Sequence, residues 1–285
     1  MRTVALFSIK GSPGVTTLAC CLGAVWPADR RVVIMEADPA GGDICTRFLL
    51  PDAPGLMTLA LATRGISNGM IDIDQHVQVL PGGLEVLIGP PNSDAALSLD
   101  REVVALSQLI SISTNDIDLI IDCGRISPAL QSQMAILERA DIAIMVSPLD
   151  ARVVPHAEKM IARINSVRSH WQGEPPVKVV MSGNGGAKPK ELAEALGIEL
   201  IGSIPVDHQG AAVACGHPGN NAAFAKSHLI RASVTIASEV THNLAMIDRS
   251  IMPDDKNTNP MPSDHPMPSD QEKDSSNMPA EMRSA

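Results

Sequence analysis

The segment Ile9-Lys10-Gly11-Ser12-Pro13-Gly14-Val15-Thr16-Thr17 gathers residue types that hold a polyphosphate. Gly11 and Gly14 permit positive φ and close approach of the backbone to phosphate oxygens. Thr16 stands where such a loop's hydroxyl ligates Mg²⁺, and Thr17 where a hydroxyl touches the α-phosphate. The segment follows the apolar run Val4–Ile9 and precedes a helical stretch from Thr16 to Trp26. Strand, glycine turn and helix start, in that order, aim backbone N–H groups and a helix N-terminus at an anion. One residue is out of keeping: the lysine that would reach the β- and γ-phosphates is replaced by Val15. A ligand-free turn would use the same glycines, and plain N-capping would account for either threonine.

Two carboxylates extend the pattern. Asp38 closes Val33-Ile34-Met35-Glu36-Ala37-Asp38-Pro39, and Asp122 closes Asp118-Leu119-Ile120-Ile121-Asp122-Cys123. Both end apolar strands at the edge where doubly wound sheets bind ligands. Each alone is also what a turn-capping aspartate looks like. Jointly they favour Mg²⁺-nucleotide chemistry.

The elements that must position these residues are legible as an alternation. Strand-like runs at Thr3–Ile9, Arg31–Glu36, Glu85–Ile88, Ile117–Asp122, Ile142–Val146, Val177–Ser182 and Glu199–Ile204 are separated by helix-period segments. The helices fall at Leu18–Val25, Val103–Ile112, Ala129–Leu137, Pro155–Val167 and Glu191–Leu196. Continuously apolar strands between helices predict an α/β fold: a doubly wound, mostly parallel sheet with helices on both faces. Val77–Leu80 and Leu84–Ile88, joined by Pro81-Gly82-Gly83, read as a hairpin-like edge. A last helix spans Phe224–Ile251, with Ile230, Val234, Val240, Leu244, Ile247 and Ile251 on one face.

Taken in order, these motifs resemble the ParA/MinD family of P-loop ATPases, whose deviant Walker A loop reads KGGxGKTT. The likeness runs along about 240 residues and includes Ala143-Ile144-Met145-Val146-Ser147-Pro148, the stretch Leu196–Asp207, and Ala214-Cys215-Gly216-His217-Pro218. The departures are Val15 for the lysine, Ser12 and Pro13 inside the loop, Glu36 for an aspartate, and Gly124-Arg125 after the Walker B aspartate. The resemblance implies ATP and Mg²⁺ as ligands, with Gly11 to Thr17 around the phosphates and Pro205, Val206 and Asp207 beside the adenine. It implies that Thr16, Asp38 and Asp122 serve the metal and that Asp38 positions the attacking water. Lys10 stands in the place of the lysine that crosses a dimer interface to the partner's nucleotide, which implies a nucleotide-dependent homodimer. Lys10 from a partner and Arg125 in the switch region after Asp122 are candidates to compensate for the missing lysine; a lone surface lysine and a solvent-facing arginine are the plainer accounts of the two.

Composition narrows the class. The chain has 285 residues, 45% of them hydrophobic, which is enough for one large core. No apolar run approaches the length of a membrane span, and the start MRTVALF shows no signal peptide. Five cysteines at 20, 21, 45, 123 and 215 have no C-x-x-C spacing and fit the reduced thiols of a cytoplasmic protein. Cys123 reads as a buried small residue. A net charge of −10, with 2% aromatics and scattered basic residues, argues against DNA as a partner. From Met252 onward Met-Pro recurs four times in a Pro-, Ser- and Asp-rich acidic stretch, read as a disordered tail 252–285 after a nucleotide-binding domain 1–251. That tail lacks the basic, amphipathic character of a membrane-targeting helix.

Three functions remain open at the level of sequence. One is a slow ATPase that dimerises on ATP and positions a protein cargo. Another is a pseudo-ATPase scaffold that localises a pilus- or secretion-type machine without hydrolysis. The third is a ligase or reductase of the wider family, for which the needed cysteines and carboxylate-substrate loop are not evident.

Overall fold

The computed structural model describes residues 1–11, 13–66, 71–112, 116–168 and 177–251. The expected tail, 252–285, lies outside the described residues, as does Ser12. Eight strands form one sheet: β1 (Arg2–Ser8), β2 (Arg31–Glu36), β3 (Gln78–Val79), β4 (Glu85–Leu87), β5 (Ile117–Arg125), β6 (Ile142–Pro148), β7 (Val177–Ser182) and β8 (Glu199–Ile204). Their order is β3-β4-β2-β5-β1-β6-β7-β8. Every neighbouring pair is parallel except β3 and β4, which form the antiparallel edge that the Pro81-Gly82-Gly83 turn predicts.

Alternation along each strand divides the core in two. Ala5, Phe7, Val33, Met35, Leu119, Ile121, Ala143 and Met145 face one layer, and Val4, Leu6, Ile34, Ile120, Ile144 and Val146 face the other. The first layer is closed by α3 (Leu56–Ala62), α5 (Asp100–Ile112), α6 (Gln131–Arg139), α7 (Val154–Val167) and α8 (Pro189–Leu196). The second is closed by α1 (Val15–Ala24) and α11 (His228–Ile251). Such a sheet, apolar on both faces, is stable only when covered on both. The expected three-layer α/β/α architecture is therefore what the chain adopts.

The remaining helices are short: α2 (Ile44–Phe48), α4 (Ser93–Ser98), α9 (His208–Ala214) and α10 (Asn221–Phe224). The last helix starts at His228 rather than Phe224, because α10 and a turn take up the preceding residues. Its expected apolar stripe needs one correction. Val234 is 50% exposed, whereas Ser233, Ile236 and Ala237 are buried beside Ile230, Val240 and Leu244. Ile236 packs against Gly202 of β8, where a Cβ would lie 2.5 Å from its Cγ1, so this contact fixes the helix's rotation.

At the amino-terminal edge of the sheet, the buried Asp118 carboxylate accepts paired hydrogen bonds from Arg2 (2.9 and 2.7 Å) and Arg30 (2.7 and 2.7 Å) and one from Trp26 Nε1 (2.9 Å). Burial pushes its pKa up, but these donors outweigh burial and hold it at about 2. The cluster ties β1, β5 and the α1–β2 turn together, well away from the glycine loop.

Candidate nucleotide-binding site

The glycine loop sits at the carboxyl edge of the sheet, between β1 and α1. Gly11 (φ 76°) and Gly14 (φ 94°) both adopt the left-handed region, as expected from their place in the loop. Gly14 stands in the N-cap position of α1, with no side-chain cap and no acidic residue in the first turn. Among the other helices α4 is capped by Asn92 and α9 by Asp207, while α2, α6, α7 and α8 also start without a side-chain cap. The first N–H groups of α1 are thus left without the side-chain acceptor that helix starts usually carry. The loop is held from outside by the Ser182 hydroxyl at the end of β7, which donates to the Pro13 carbonyl at 2.7 Å.

Asp122 and Asp38 converge here. Asp122 is fully buried, and its Oδ1 accepts the Gly124 N–H at 2.9 Å. Its Oδ2 is buried without a hydrogen-bond partner. Burial raises the Asp122 pKa to about 7; the Thr16 side chain and the Gly124 N–H pull it part of the way back, and Glu36 and Asp38 push it further up. Asp38 is half-buried, with Oδ1 accepting the Ala40 N–H at 2.8 Å. Burial raises its pKa, and the positive charge of Arg125 works against that rise.

Gly124 is what allows the two aspartates to meet. It has φ 55°, and a Cβ there would lie 1.9 Å from Asp38 Oδ2, inside any tolerable contact. The strand is irregular at this point: Leu6 pairs with Asp122 and Ser8 with Arg125, so β5 carries an extra residue. A bulge of this kind bends a strand and re-aims its side chains.

Glu36, opposite Asp122 in the β2–β5 register, is part of the scaffold. It is buried, and its carboxylate accepts N–H groups from Asp43 (2.7 Å), Ile44 (3.0 Å) and Gly89 (2.8 Å). Burial raises its pKa, and those three donors oppose the rise. The carboxylate holds the start of α2 against the end of β4. Its partners lie 7, 8 and 53 residues away, so the strand pattern alone gave no signal of this role.

Other site residues are distributed as follows. Val15 is 6% exposed and packs into the apolar layer with Leu18 and Val146, so no cation occupies its place. Thr17 Oγ1 lies 3.4 Å from Cys215 Sγ, which also accepts from Arg47 Nη1 at 3.0 Å. This brings the Ala214–Pro218 landmark to the loop, a contact across 198 residues that the sequence reading missed. Lys10 Nζ is 3.3 Å from His156 Nε2 at the start of α7. Asp207 caps α9, accepting the Gly210 N–H at 2.8 Å and the Leu229 N–H at 3.2 Å, and these bonds lower its pKa. Pro205 and Val206 lead into it, with Val206 exposed. Cys123 is buried, as expected.

The residues present fit a Mg²⁺-bound polyphosphate. A positive-φ loop, an uncapped helix start and an orphaned buried carboxylate oxygen next to a threonine side chain offer donors for phosphate and an acceptor for a cation. Among the described residues no group of three or more His, Cys, Asp or Glu side chains could hold a metal unaided, so a cation here would share phosphate oxygens. A separate cavity of about 810 Å³ lies toward the opposite edge of the sheet, among Trp26, Phe48, Leu80, Leu84, Val213 and Phe224, and includes none of the site residues.

No protein-family model matches the sequence, nor does any curated protein. Solved structures do. The chain is similar to the septum site-determining protein MinD of Pyrococcus horikoshii complexed with Mg-ADP, at 16% identity over 86% of this chain and 98% of that one, with a TM-score of 0.66. It is similar to a ParA family ATPase from Chlorobium tepidum, at 16% identity over 83% and 98%, TM-score 0.64. An ATP complex of Cyanothece McdA aligns at 17% identity over 86% and 96%, TM-score 0.60. Identity this low speaks to architecture alone, and on architecture the alignments agree: the chain has the fold of the MinD- and ParA-type P-loop ATPases.

Proposed function

We propose that this protein binds ATP with Mg²⁺ in the β1–α1 loop, hydrolyses it weakly, and acts as a nucleotide-dependent dimeric positioning or partitioning factor for a protein cargo. The observation that carries the reading is Asp122, a fully buried carboxylate with Oδ2 outside hydrogen-bonding geometry, close to the Thr16 side chain and raised in pKa by burial and by the charges of Glu36 and Asp38. A protein with no cation to bind has little use for such a group, which costs stability at neutral pH. Similarity to MinD with Mg-ADP and to McdA with ATP supports a nucleotide as the ligand.

In this reading Gly11 to Thr17 give backbone and hydroxyl donors to the phosphates, and Thr16 and Asp122 hold Mg²⁺ with support from Asp38. A Mg²⁺ held there would supply charge neutralisation for the phosphates. The Asp38 carboxylate, braced by the Ala40 N–H, accepts a proton from the attacking water and orients it. Val15 leaves the phosphates short of a cation, which slows turnover more than it weakens binding. Lys10, exposed beside His156, would in this reading leave that histidine to reach a second protomer's nucleotide.

Val15 itself favours a second reading, a nucleotide-binding scaffold without hydrolysis, because its side chain belongs to the apolar layer. Titration of the purified protein with ATP and Mg²⁺, following heat and phosphate release, separates the two. Binding with slow release that Asp38→Ala abolishes is the expected result. Binding without release selects the scaffold, and no binding at millimolar ATP refutes the ATPase and leaves a nucleotide-free scaffold.

A further inference from the structure

The loop lacks its lysine, yet an exposed arginine ends the strand paired with the one that leads into the loop. We infer that Arg125 is the residue that recognises the γ-phosphate in this protein, in the same chain, in place of the cation missing at position 15. The inference rests on the MgATP reading above and adds a residue and a specificity to it.

Position is the first argument. Arg125 is the last residue of β5, paired with Ser8, the last residue of β1, after which the loop begins. The Ile126 N–H donates to the Ser8 carbonyl at 2.9 Å, which fixes this junction. The bulge adds one residue to β5 between the Leu6–Asp122 and Ser8–Arg125 pairs. Arg125 consequently emerges exposed at the carboxyl edge, immediately after the glycine on which the Asp38 carboxylate rests.

Availability is the second. Other cations near the site are engaged: Lys10 with His156, Arg47 with Asp43 at 2.8 Å and with Cys215, and Arg152 with Asp150 at 2.7 Å. Among the described residues the Arg125 guanidinium makes no hydrogen bond or ion pair, although its charge acts on the Asp38 carboxylate. A planar guanidinium with five donors suits a terminal phosphate, which presents two or three oxygens at once. It also offsets the charge of Asp38, which would otherwise repel a triphosphate.

The consequence is a preference for triphosphate over diphosphate, read by isothermal titration of the full chain with MgATPγS and MgADP. Arg125→Ala is expected to weaken MgATPγS roughly 10-fold or more and leave MgADP within about twofold. Arg125→Lys should recover part of the loss, because a point charge replaces a fork. Val15→Lys in the Arg125→Ala background should restore triphosphate affinity. Arg125 is exposed at a strand end, so its replacement leaves the core intact, and a melt confirms folding independently of the other variant. Equal loss for both nucleotides, or no loss for either, overturns the assignment while the MgATP reading stands. Failure of the unaltered protein to bind either nucleotide overturns both.

Discussion

Replacing Asp122 by asparagine should make the protein more stable at pH 8 and less stable at pH 4. The carboxyl group has a pKa of about 7 in the folded chain, against 3.8 for a free aspartate, chiefly because burial disfavours the charged form. Below about pH 4 it is protonated in both states and contributes no difference. Between about pH 4 and 7 the unfolded chain ionises while the folded chain does not, so stability falls as pH rises. Above pH 7 the loss is complete: a shift of about 3 units at 1.36 kcal/mol each comes to about 4 kcal/mol. Asparagine does not titrate and is free of that loss. Its Oδ1 can still accept the Gly124 N–H, but its amide nitrogen inherits the place of the unpartnered Oδ2. A buried donor left without an acceptor costs about 1–3 kcal/mol. The net gain at pH 8 is therefore about 1–3 kcal/mol, or roughly 2–12 °C in Tm for a domain of this size, and at pH 4 the same 1–3 kcal/mol becomes a loss.

Urea or thermal unfolding of both proteins from pH 4 to 8 measures this directly, because titrating groups away from the site are common to the two and cancel, leaving Asp122 and its coupling to Glu36 and Asp38 in the difference. Parallel stability curves, with no crossing between pH 4 and 8, would refute the argument that Asp122 is a strained, unpartnered acid. Added MgATP should then raise the Tm of the unaltered protein at pH 8 and do much less for Asp122→Asn, since the cation's acceptor is gone. A gain in stability with a loss of ligand stabilisation is the trade expected of a site residue.

Gly124→Ala should destabilise the fold by roughly 1–3 kcal/mol through its positive φ and abolish phosphate release, because the new methyl group takes the space of Asp38 Oδ2; unchanged melting and release would show that the bulge does not hold that carboxylate. Val15→Lys should tighten ATP by roughly 10-fold and speed phosphate release, and an unchanged affinity would mean that Val15 is required in the apolar layer instead. Duplex DNA should bind no more tightly than ~1 μM at about 150 mM salt, since the chain carries a net charge of −10; submicromolar binding in a gel shift would reveal a basic face that composition hides.

The sheet was legible because its strands are apolar at every position and bounded by helices long enough to show a period. Glu85 to Ile88, read as a strand with a hairpin-like neighbour, became β4 with β3 antiparallel to it for the reason given by Pro81-Gly82-Gly83. The helices that escaped are those of four to seven residues, α2, α3, α4, α9 and α10, too short for a 3.6-residue period to repeat twice. Val234 was misplaced for a related reason: its spacing fits the stripe, but contact with Gly202 turns the helix so that Ile236 and Ala237 face the core. At the site, the loop and both aspartates were readable because each sits next to its own strand end. What holds them could not be read. Gly124 works by the absence of a side chain against a residue 86 positions earlier, and Cys215 reaches Thr17 from across the chain. Glu36 is the sharpest case. In sequence it stands out only as a glutamate where the resembling family has an aspartate, two residues before Asp38. In the structure its oxygens are taken up by three backbone N–H groups, so it has little left to offer a ligand. Asp122, one strand over with the same chemistry and the same burial, keeps an oxygen free. What separates scaffold from site among these acids is therefore the count of donors that the fold brings to each, and that count is set by tertiary contacts.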